Sequence, residues 1–211
     1  MLRERDPFGR ALNALRTCLR EGAYGQGQPL PIADIARDLD LSSTPVREAL
    51  SRLVGEGLVE DRRGRGFFCT RLDATALAEL YDLQHLQLGF ATVALSAADK
   101  KFHPLRARQE EPADIAGRRD FALACEALFD RVVEAAGHHA LRGWHQALAD
   151  RLGPARRIEA LVLRGVDDEL ERLVSLYSTS DWVEFRAELR RFHRRRSAAV
   201  TDLATVLRGR A

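Results

Sequence analysis

The stretch from residue 41 to residue 58 restricts the fold of this chain more than any other. Apolar side chains recur there at helical spacing, which predicts a helix with one buried face. We expect Ser43 or Thr44 to be the N-cap, with Pro45 in the first turn, where its missing N–H leaves no bond unmade. The apolar stripe consists of Val46, Ala49, Leu50, Leu53 and Val54, and the opposite face carries Ser43, Thr44, Arg47 and Ser51.

A basic turn punctuated by glycines follows this helix closely. Arg62-Arg-Gly-Arg-Gly-Phe67 separates two short segments, 58–61 and 67–71, whose residues suit strands. A shorter helix over 32–39 and a tight turn at 40–42 precede the first helix. Two helices joined by a tight turn and followed by a hairpin indicate a winged helix-turn-helix, in which the start of the second helix reads DNA bases.

The chain beyond residue 72 has a helical pattern almost to its end. Asp73 is expected to cap a long helix that reaches about residue 98, and the polar segment 100–112 is expected to be a loop. Further helices are predicted over 117–136, 139–152, 155–164, 167–177 and 182–207. The predicted fold is mainly α, with a winged helix-turn-helix domain and its small two-stranded wing over 1–72 and an all-helical bundle over 73–211.

Charge and composition exclude several classes of protein. The formal net charge is only +2, so nucleic-acid binding has to rest on local basic clusters. No apolar run approaches the roughly 20 residues needed to cross a bilayer, and the N-terminus lacks the apolar core of a signal peptide. We therefore expect a cytoplasmic protein without membrane contact. Cys18, Cys69 and Cys125 lie far apart and are expected to be small buried hydrophobes.

The residues of the predicted winged helix resemble the DNA-binding domain of the GntR superfamily of bacterial regulators. The matching positions run from Ile35-Ala36 to Gly66 and centre on Thr44-Pro-Val-Arg-Glu-Ala-Leu50. The helical remainder, with its long first helix and its Leu128-Phe129 segment, resembles the ligand-binding domain of the FadR subfamily. The resemblance implies a homodimer that binds a two-fold symmetric double-stranded DNA operator and responds to a small-molecule effector. We expect it to be a repressor.

The residues expected at the DNA lie on the second helix and in the wing. The family usually carries arginine where this chain has Ser43, so one bidentate contact to guanine is expected to be lost. Two alternatives remain open: Arg47 could pair with Glu48 or Asp40, and the wing arginines could serve solubility alone. The predicted DNA-binding residues are Ser43, Thr44, Pro45, Arg47 and Ser51 on the helix, and Arg62, Arg63, Gly64 and Arg65 in the wing.

The positions that hold a divalent metal in many members of the family have changed in this chain. The resemblance places them at Glu126, Asp130, Leu170 and His193, and only the last keeps its histidine. We therefore expect no metal cofactor, with Glu126, Asp130 and His193 as an alternative, oxygen-rich site for a harder ion. The arginine and glutamate usual on the long helix are replaced by Gln84 and Leu88. The predicted effector pocket comprises Gln84, His85, Glu126, Asp130 and His193.

Two other functions remain as alternatives to an effector-responsive regulator. The helical domain could serve dimerisation alone, since its ligand-binding positions differ so much from those of the family. A metal-dependent hydrolase built on Glu126, Asp130 and His193 is more distant, because no nucleophile constellation or phosphate-binding glycine loop accompanies these residues. We do not expect an enzyme. The run from Arg190 to Arg196 is expected to be a solvated helix face that pairs with its neighbours.

Overall fold

The computed structural model describes residues 6–102 and 120–209, and the predicted helix start at 117 and most of the predicted loop lie outside them. None of the described helices has the length and apolarity needed to cross a membrane. The N-terminal elements are α1 (Pro7–Glu21), α2 (Ile32–Asp38), α3 (Ser43–Gly55), β1 (Val59–Arg62) and β2 (Gly66–Cys69). The later helices are α4 (Ala74–Phe102), α5 (Phe121–Ala135), α6 (His139–Arg156), α7 (Glu159–Val162), α8 (Val166–Ser178), α9 (Trp182–Ala198) and α10 (Val200–Gly209).

The first three helices and the hairpin enclose an apolar core of their own. Helix α1 begins behind Asp6, whose carboxylate accepts a hydrogen bond from the Gly9 N–H (2.9 Å), and it packs along α3. Strands β1 and β2 pair antiparallel, which leaves residues 63–65 at the tip of the hairpin. The predicted winged helix-turn-helix is thereby confirmed. Its core consists of Ala11, Leu15, Leu19, Leu30, Ile35, Ala36, Val46, Ala49, Leu50, Leu53, Leu58, Val59, Phe67 and Cys69.

Helix α3 begins before its predicted N-cap. Ser42 occupies the N-cap position, and Ser43 and Thr44 are already helical, so the predicted cap was wrong. The preceding Asp40 has a left-handed backbone (φ 53°), a conformation that aspartate tolerates better than most residues and that turns the chain sharply. Pro45 is therefore the third helical residue, which still lies in the first turn, where no N–H bond within the helix is needed.

Helices α4 to α10 surround two further apolar clusters. Helix α4 has 29 residues, and Asp73 caps it as predicted by accepting a hydrogen bond from the Ala76 N–H (2.8 Å). Both α6 and α9 pack against α4. One cluster includes Leu128, Phe129, Phe185 and Phe192, and the other includes Leu72, Leu77, Leu80 and Leu152. The mainly α architecture is confirmed, while the division into domains at residues 72 and 73 stays a prediction.

Other helix boundaries also differ from those predicted, and the helix expected over 155–164 is the short α7. Helix α6 continues through Gly153-Pro154 to Arg156, so the predicted interruption was wrong. Gly153 is buried against α1, where an added Cβ would lie 2.7 Å from the backbone oxygen of Arg20. This packing holds α6 in place despite the hydrogen bond that the proline cannot donate. The predicted last helix is instead divided at Ala199, and residues 100–102 belong to α4.

Candidate nucleic-acid interface and helical-domain site

The face of α3 that points away from the core is polar and exposed. Among the described residues, none forms an ion pair with Arg47, so neither predicted alternative partner, Glu48 or Asp40, holds it. A guanidinium in this position keeps its five N–H donors for an external acceptor. The face comprises Ser43, Thr44, Arg47 and Ser51, with Pro45 half-buried beside them.

The arginines of the wing have different surroundings. Arg62 folds back onto the hairpin, where its Nε and Nη2 donate to Glu60 (3.0 and 2.8 Å) and its guanidinium lies 4.2 Å from the ring centre of Phe68. Arg63 and Arg65 lie at the exposed tip. Gly64 between them has a φ of 71°, a left-handed conformation that suits glycine. Arg62 is thus engaged within the wing, and the tip carries the exposed charge.

Helix α3 and the wing border a common cleft. This cleft has a volume of about 510 Å³ and also extends to the start of α2. Arg47 lines it from α3, Gly64 and Arg65 line it from the wing, and Asp61 is its acidic residue. The structure therefore brings Arg47, Gly64 and Arg65 of the predicted set to one cleft, where a nucleic acid could contact both the helix and the wing.

The five residues of the predicted effector pocket do not line one cavity. Gln84 and Glu126 border an inner space of only about 10 Å³, which is no larger than one water molecule requires. His85 and His193 instead border an outer groove between α4 and α9. Asp130 is exposed, and its carboxylate lies 2.9 Å from Nε2 of the buried His145.

The proposed alternative metal ligands have other partners. Glu126 binds Arg20 (2.7 Å) and Asp130 binds His145. Nδ1 of His193 lies 2.9 Å from the Leu189 carbonyl oxygen. Within residues 6–102 and 120–209, no three histidine, cysteine or acidic side chains come together as a metal site would require. The structure therefore does not assemble the site on which the hydrolase hypothesis was based.

Arg156 fills the inner space of the helical domain. Its Nη2 donates to Oε1 of Gln84 (2.7 Å), and its Nη1 donates to Glu159 (2.8 Å). Arg196 binds the other side of Glu159 (2.8 Å). Burial, together with the charge of Glu159, raises the pKa of the Tyr81 hydroxyl, which donates to the same carboxylate (2.8 Å). Sequence analysis missed this network, because apart from Arg156 and Glu159, which are three residues apart, its members lie far apart in the sequence.

Ionic contacts join α1 to the helical domain. Arg20 lies 2.7 Å from Glu126 of α5 and 3.4 Å from Asp150 of α6. Arg16 lies 3.1 Å from the other oxygen of Asp150 and 2.7 Å from Glu56, which directly follows α3. Burial raises the pKa of Asp150, and the Gln146 hydrogen bond and both arginines oppose that effect. Asp150 thus connects the winged domain to α6.

An apolar stripe lies exposed on α4. Its side chains recur at intervals of three and four residues, as on the contact face of a paired helix. Two of them, Leu86 and Val93, are 66% and 56% exposed, which is unusual for large apolar side chains on a long helix. Contiguous exposed apolar surface of this kind marks interaction sites. The α4 stripe consists of Leu83, Leu86, Phe90 and Val93.

Comparison with known proteins relates both parts of the chain to bacterial regulators. The family model "Bacterial regulatory proteins, gntR family" matches residues 9–69. The Nta operon transcriptional regulator of Aminobacter aminovorans is 30% identical over 141 residues, which are 64% of this chain and 67% of that protein. An uncharacterized HTH-type transcriptional regulator of Agrobacterium vitis is 32% identical over 89 residues, which are 42% of this chain and 52% of that protein.

Solved structures share the fold over nearly the whole chain. E. coli McbR/YncC has a TM-score of 0.69 at 18% identity and covers 93% of this chain and 97% of its own. A putative transcriptional regulator GntR from Rhodococcus sp. RHA1 has a TM-score of 0.71 at 17% identity, with coverages of 92% and 96%. At these low sequence identities, the similarity to the solved structures is evidence for the fold alone. With a family match over the winged helix and a relative aligned over two thirds of its length, this chain belongs to the GntR family of bacterial transcriptional regulators.

Proposed function

We propose that this regulator is a cytoplasmic repressor of the FadR subfamily, which binds a two-fold symmetric DNA operator as a homodimer. The observation that carries the proposal is Arg47, unpaired among the described residues, in the first turn of the exposed face of α3. An arginine at this place can bind O6 and N7 of guanine with two hydrogen bonds. Arg63 and Arg65 at the wing tip suit phosphates or the minor groove.

The other predicted DNA-binding residues complete the proposed contact. Ser43, Thr44 and Ser51 offer hydroxyl groups beside Arg47, and Pro45 orients the first turn. Because Ser43 replaces the arginine usual in the family, specificity would depend more heavily on Arg47. In the wing, Arg62 and Gly64 shape the hairpin rather than contact bases, since Arg62 is bound to Glu60.

The test is a titration of labelled operator DNA followed by fluorescence anisotropy, with the operator taken from the region upstream of the gene. Arg47→Ala should weaken specific binding by about 1–3 kcal/mol and leave binding to random DNA nearly unchanged. Arg52→Ala is the matched control, because Arg52 lies on the same helix but is held by Glu56 (3.0 Å). Unchanged operator binding by Arg47→Ala would contradict the proposed recognition helix.

We propose the α4 stripe as the contact between the two protomers. A stripe of four large apolar side chains resembles the buried core of a helix–helix interface. Leu86→Glu should convert the dimer to monomers in size-exclusion chromatography with light scattering. Leu161→Glu is the control, because Leu161 is 64% exposed but belongs to α7 and not to the stripe. A dimer that survives Leu86→Glu would exclude this surface.

The helical domain is proposed to bind a small-molecule effector that changes operator affinity. A regulator whose helical domain only dimerises is the second candidate, and the filled inner space beside Arg156 favours it. A thermal-shift screen of metabolites separates the two, because a ligand that binds the folded state alone raises the unfolding temperature. Expression of a reporter from the operator should rise when the regulator is deleted, whereas an activator would give the opposite result.

A further inference from the structure

The hairpin of the wing places Asp61 on the face that packs toward α3. Side chains of a strand alternate between the two faces of its sheet, so Asp61 shares a face with the buried Val59. Its antiparallel partner Phe67 points to the same face and is also buried in the core that contains α3. Asp61 thus continues this row of side chains to the outer end of the hairpin, where it is exposed.

The carboxylate of Asp61 lines the cleft between α3 and the wing without a partner of its own. Arg47 borders the same cleft from α3, and Arg65 borders it from the wing tip. Within residues 6–102 and 120–209, no side chain forms an ion pair or a hydrogen bond with this carboxylate. An ionised carboxylate only accepts hydrogen bonds, so Asp61 offers acceptors where Arg47 offers donors.

The neighbouring Glu60 uses its charge in a different way. It lies on the opposite face of β1 and accepts two hydrogen bonds from Arg62 (3.0 and 2.8 Å). Asp61 has no such bond, although Arg63 and Arg65 follow it within four residues. An unpaired negative charge in this cleft repels the phosphates of DNA, which also carry negative charge. A favourable contact of Asp61 with DNA therefore requires a group that donates a hydrogen bond.

We infer that Asp61 is a specificity-determining residue whose carboxylate accepts a hydrogen bond from the exocyclic amino group of an operator base. In the major groove these groups are N4 of cytosine and N6 of adenine, and acidic side chains accept from the former. The inference rests on the proposed recognition of DNA by α3. It extends that recognition from the guanine assigned to Arg47 to a second base.

The same carboxylate has opposite effects on operator and random DNA. At the operator, the amino group satisfies the acceptor that the protein leaves free. On other sequences, Asp61 faces phosphates or base edges that only accept, and this arrangement costs free energy. Discrimination between two ligands can come from such an unfavourable contact with the wrong one as well as from a favourable contact with the right one.

Fluorescence anisotropy on the full chain, with operator and random DNA of equal length at one salt concentration, tests this role. Asp61→Ala should bind random DNA at least about threefold more tightly. The ratio of operator affinity to random-DNA affinity should fall at least about fivefold. Glu21→Ala is the matched control, because it changes the net charge equally at an exposed end of α1 and does not line the cleft. The same affinity ratio in both variants would overturn the inference.

Operators with single base-pair changes identify the base. The wild type should lose at least about fivefold in affinity when one cytosine or adenine of each half-site is replaced, and Asp61→Ala should lose nothing there. Replacing that base by 2-pyrimidinone for cytosine, or by purine for adenine, removes only the amino group and should reproduce the loss. If Asp61→Ala keeps the sensitivity of the wild type at every position, the carboxylate reads no base.

A conservative variant separates the charge from the hydrogen bond. Asp61→Asn keeps one acceptor oxygen, so it should retain more of the base preference than Asp61→Ala while binding random DNA as tightly. Both variants should unfold at the temperature of the wild type, because Asp61 is exposed and its side chain has no partner among the described residues.

Failure of this inference is distinct from failure of the proposed DNA contact. If Arg47→Ala weakens operator binding while Asp61→Ala behaves like Glu21→Ala, the recognition helix stands and the role of Asp61 is wrong. If Arg47→Ala leaves operator binding unchanged, the proposed recognition helix is wrong, and the inference that rests on it is wrong as well.

Discussion

The arginine side chains of this protein differ in whether they form an ion pair with a carboxylate of the same chain. Arg47 and Arg62 were both predicted at the DNA, yet Arg62 is bound to Glu60. That contact could have been predicted, because residues two apart on a strand share one face of the sheet. The contact between Arg156 and Gln84 could not, since these residues are 72 positions apart and meet only through the packing of α4 against α6.

The buried His193 makes stability depend on pH. In the unfolded chain the imidazole takes up a proton near pH 6.5, whereas the folded state resists protonation until a much lower pH. Because the unfolded state then binds more protons, the free energy of unfolding should fall below pH 6.5 by up to about 1.4 kcal/mol per pH unit. Urea denaturation at pH 7.5, 6.5 and 5.5 measures this slope. His193→Phe should reduce it, and the same change at the exposed His139 should leave it nearly unaltered.

The position of a helix could be predicted where the residues of that helix alone determine where it begins and ends. Helix α3 and the wing follow from a periodic stripe and a glycine turn, so their positions were predicted to within a few residues. The course of α6 was not, because Gly153-Pro154 is locally unfavourable and the helix persists through its contact with α1. The start of α3 also differed, since Ser42 occupies the N-cap position without a side-chain cap hydrogen bond and Ser43 and Thr44 are already helical.

The contact between α6 and α1 can be tested at Gly153. Gly153→Ala would place a methyl group 2.7 Å from the backbone oxygen of Arg20, so we expect a loss of about 1–3 kcal/mol in the free energy of unfolding. Gly143→Ala in the same helix meets no atom within 4 Å and should stabilise by up to about 1 kcal/mol. Chemical denaturation compares the two variants. Equal effects would show that helix propensity, rather than close packing, determines both.

Across the whole molecule, the winged domain and the helical domain are joined by buried and half-buried charges. The sequence indicated neither Arg20–Glu126 nor Arg16–Asp150, because these residues are more than 100 positions apart. Glu126 was predicted to face an effector, and one of its oxygens instead binds the winged domain. The sequence alone could not distinguish a carboxylate that pairs within the chain from one that faces a ligand, and the effector pocket stays a prediction.

A double-mutant cycle measures how strongly these domains are coupled. Arg20→Ala, Glu126→Ala and the double variant should give a coupling energy of about 1–3 kcal/mol in urea unfolding, because the carboxylate is buried. Arg37 and Asp34 form the control pair, which is exposed within α2 and should give less than about 0.5 kcal/mol. A coupling energy for Arg20 and Glu126 as small as that of the control would contradict a structural role for this contact.

Arg16 contacts Glu56 at the end of α3 and Asp150 in α6 at the same time. If α6 shifts and this contact changes, the observed position of α3 becomes more or less stable. Thermodynamic linkage makes the effect reciprocal: whatever a ligand of the helical domain does to operator affinity, the operator does to the affinity for that ligand. A cell in which the operator is occupied would therefore contain regulator molecules with two different affinities for that ligand. Molecules bound to DNA would have one affinity, and free molecules would have the other.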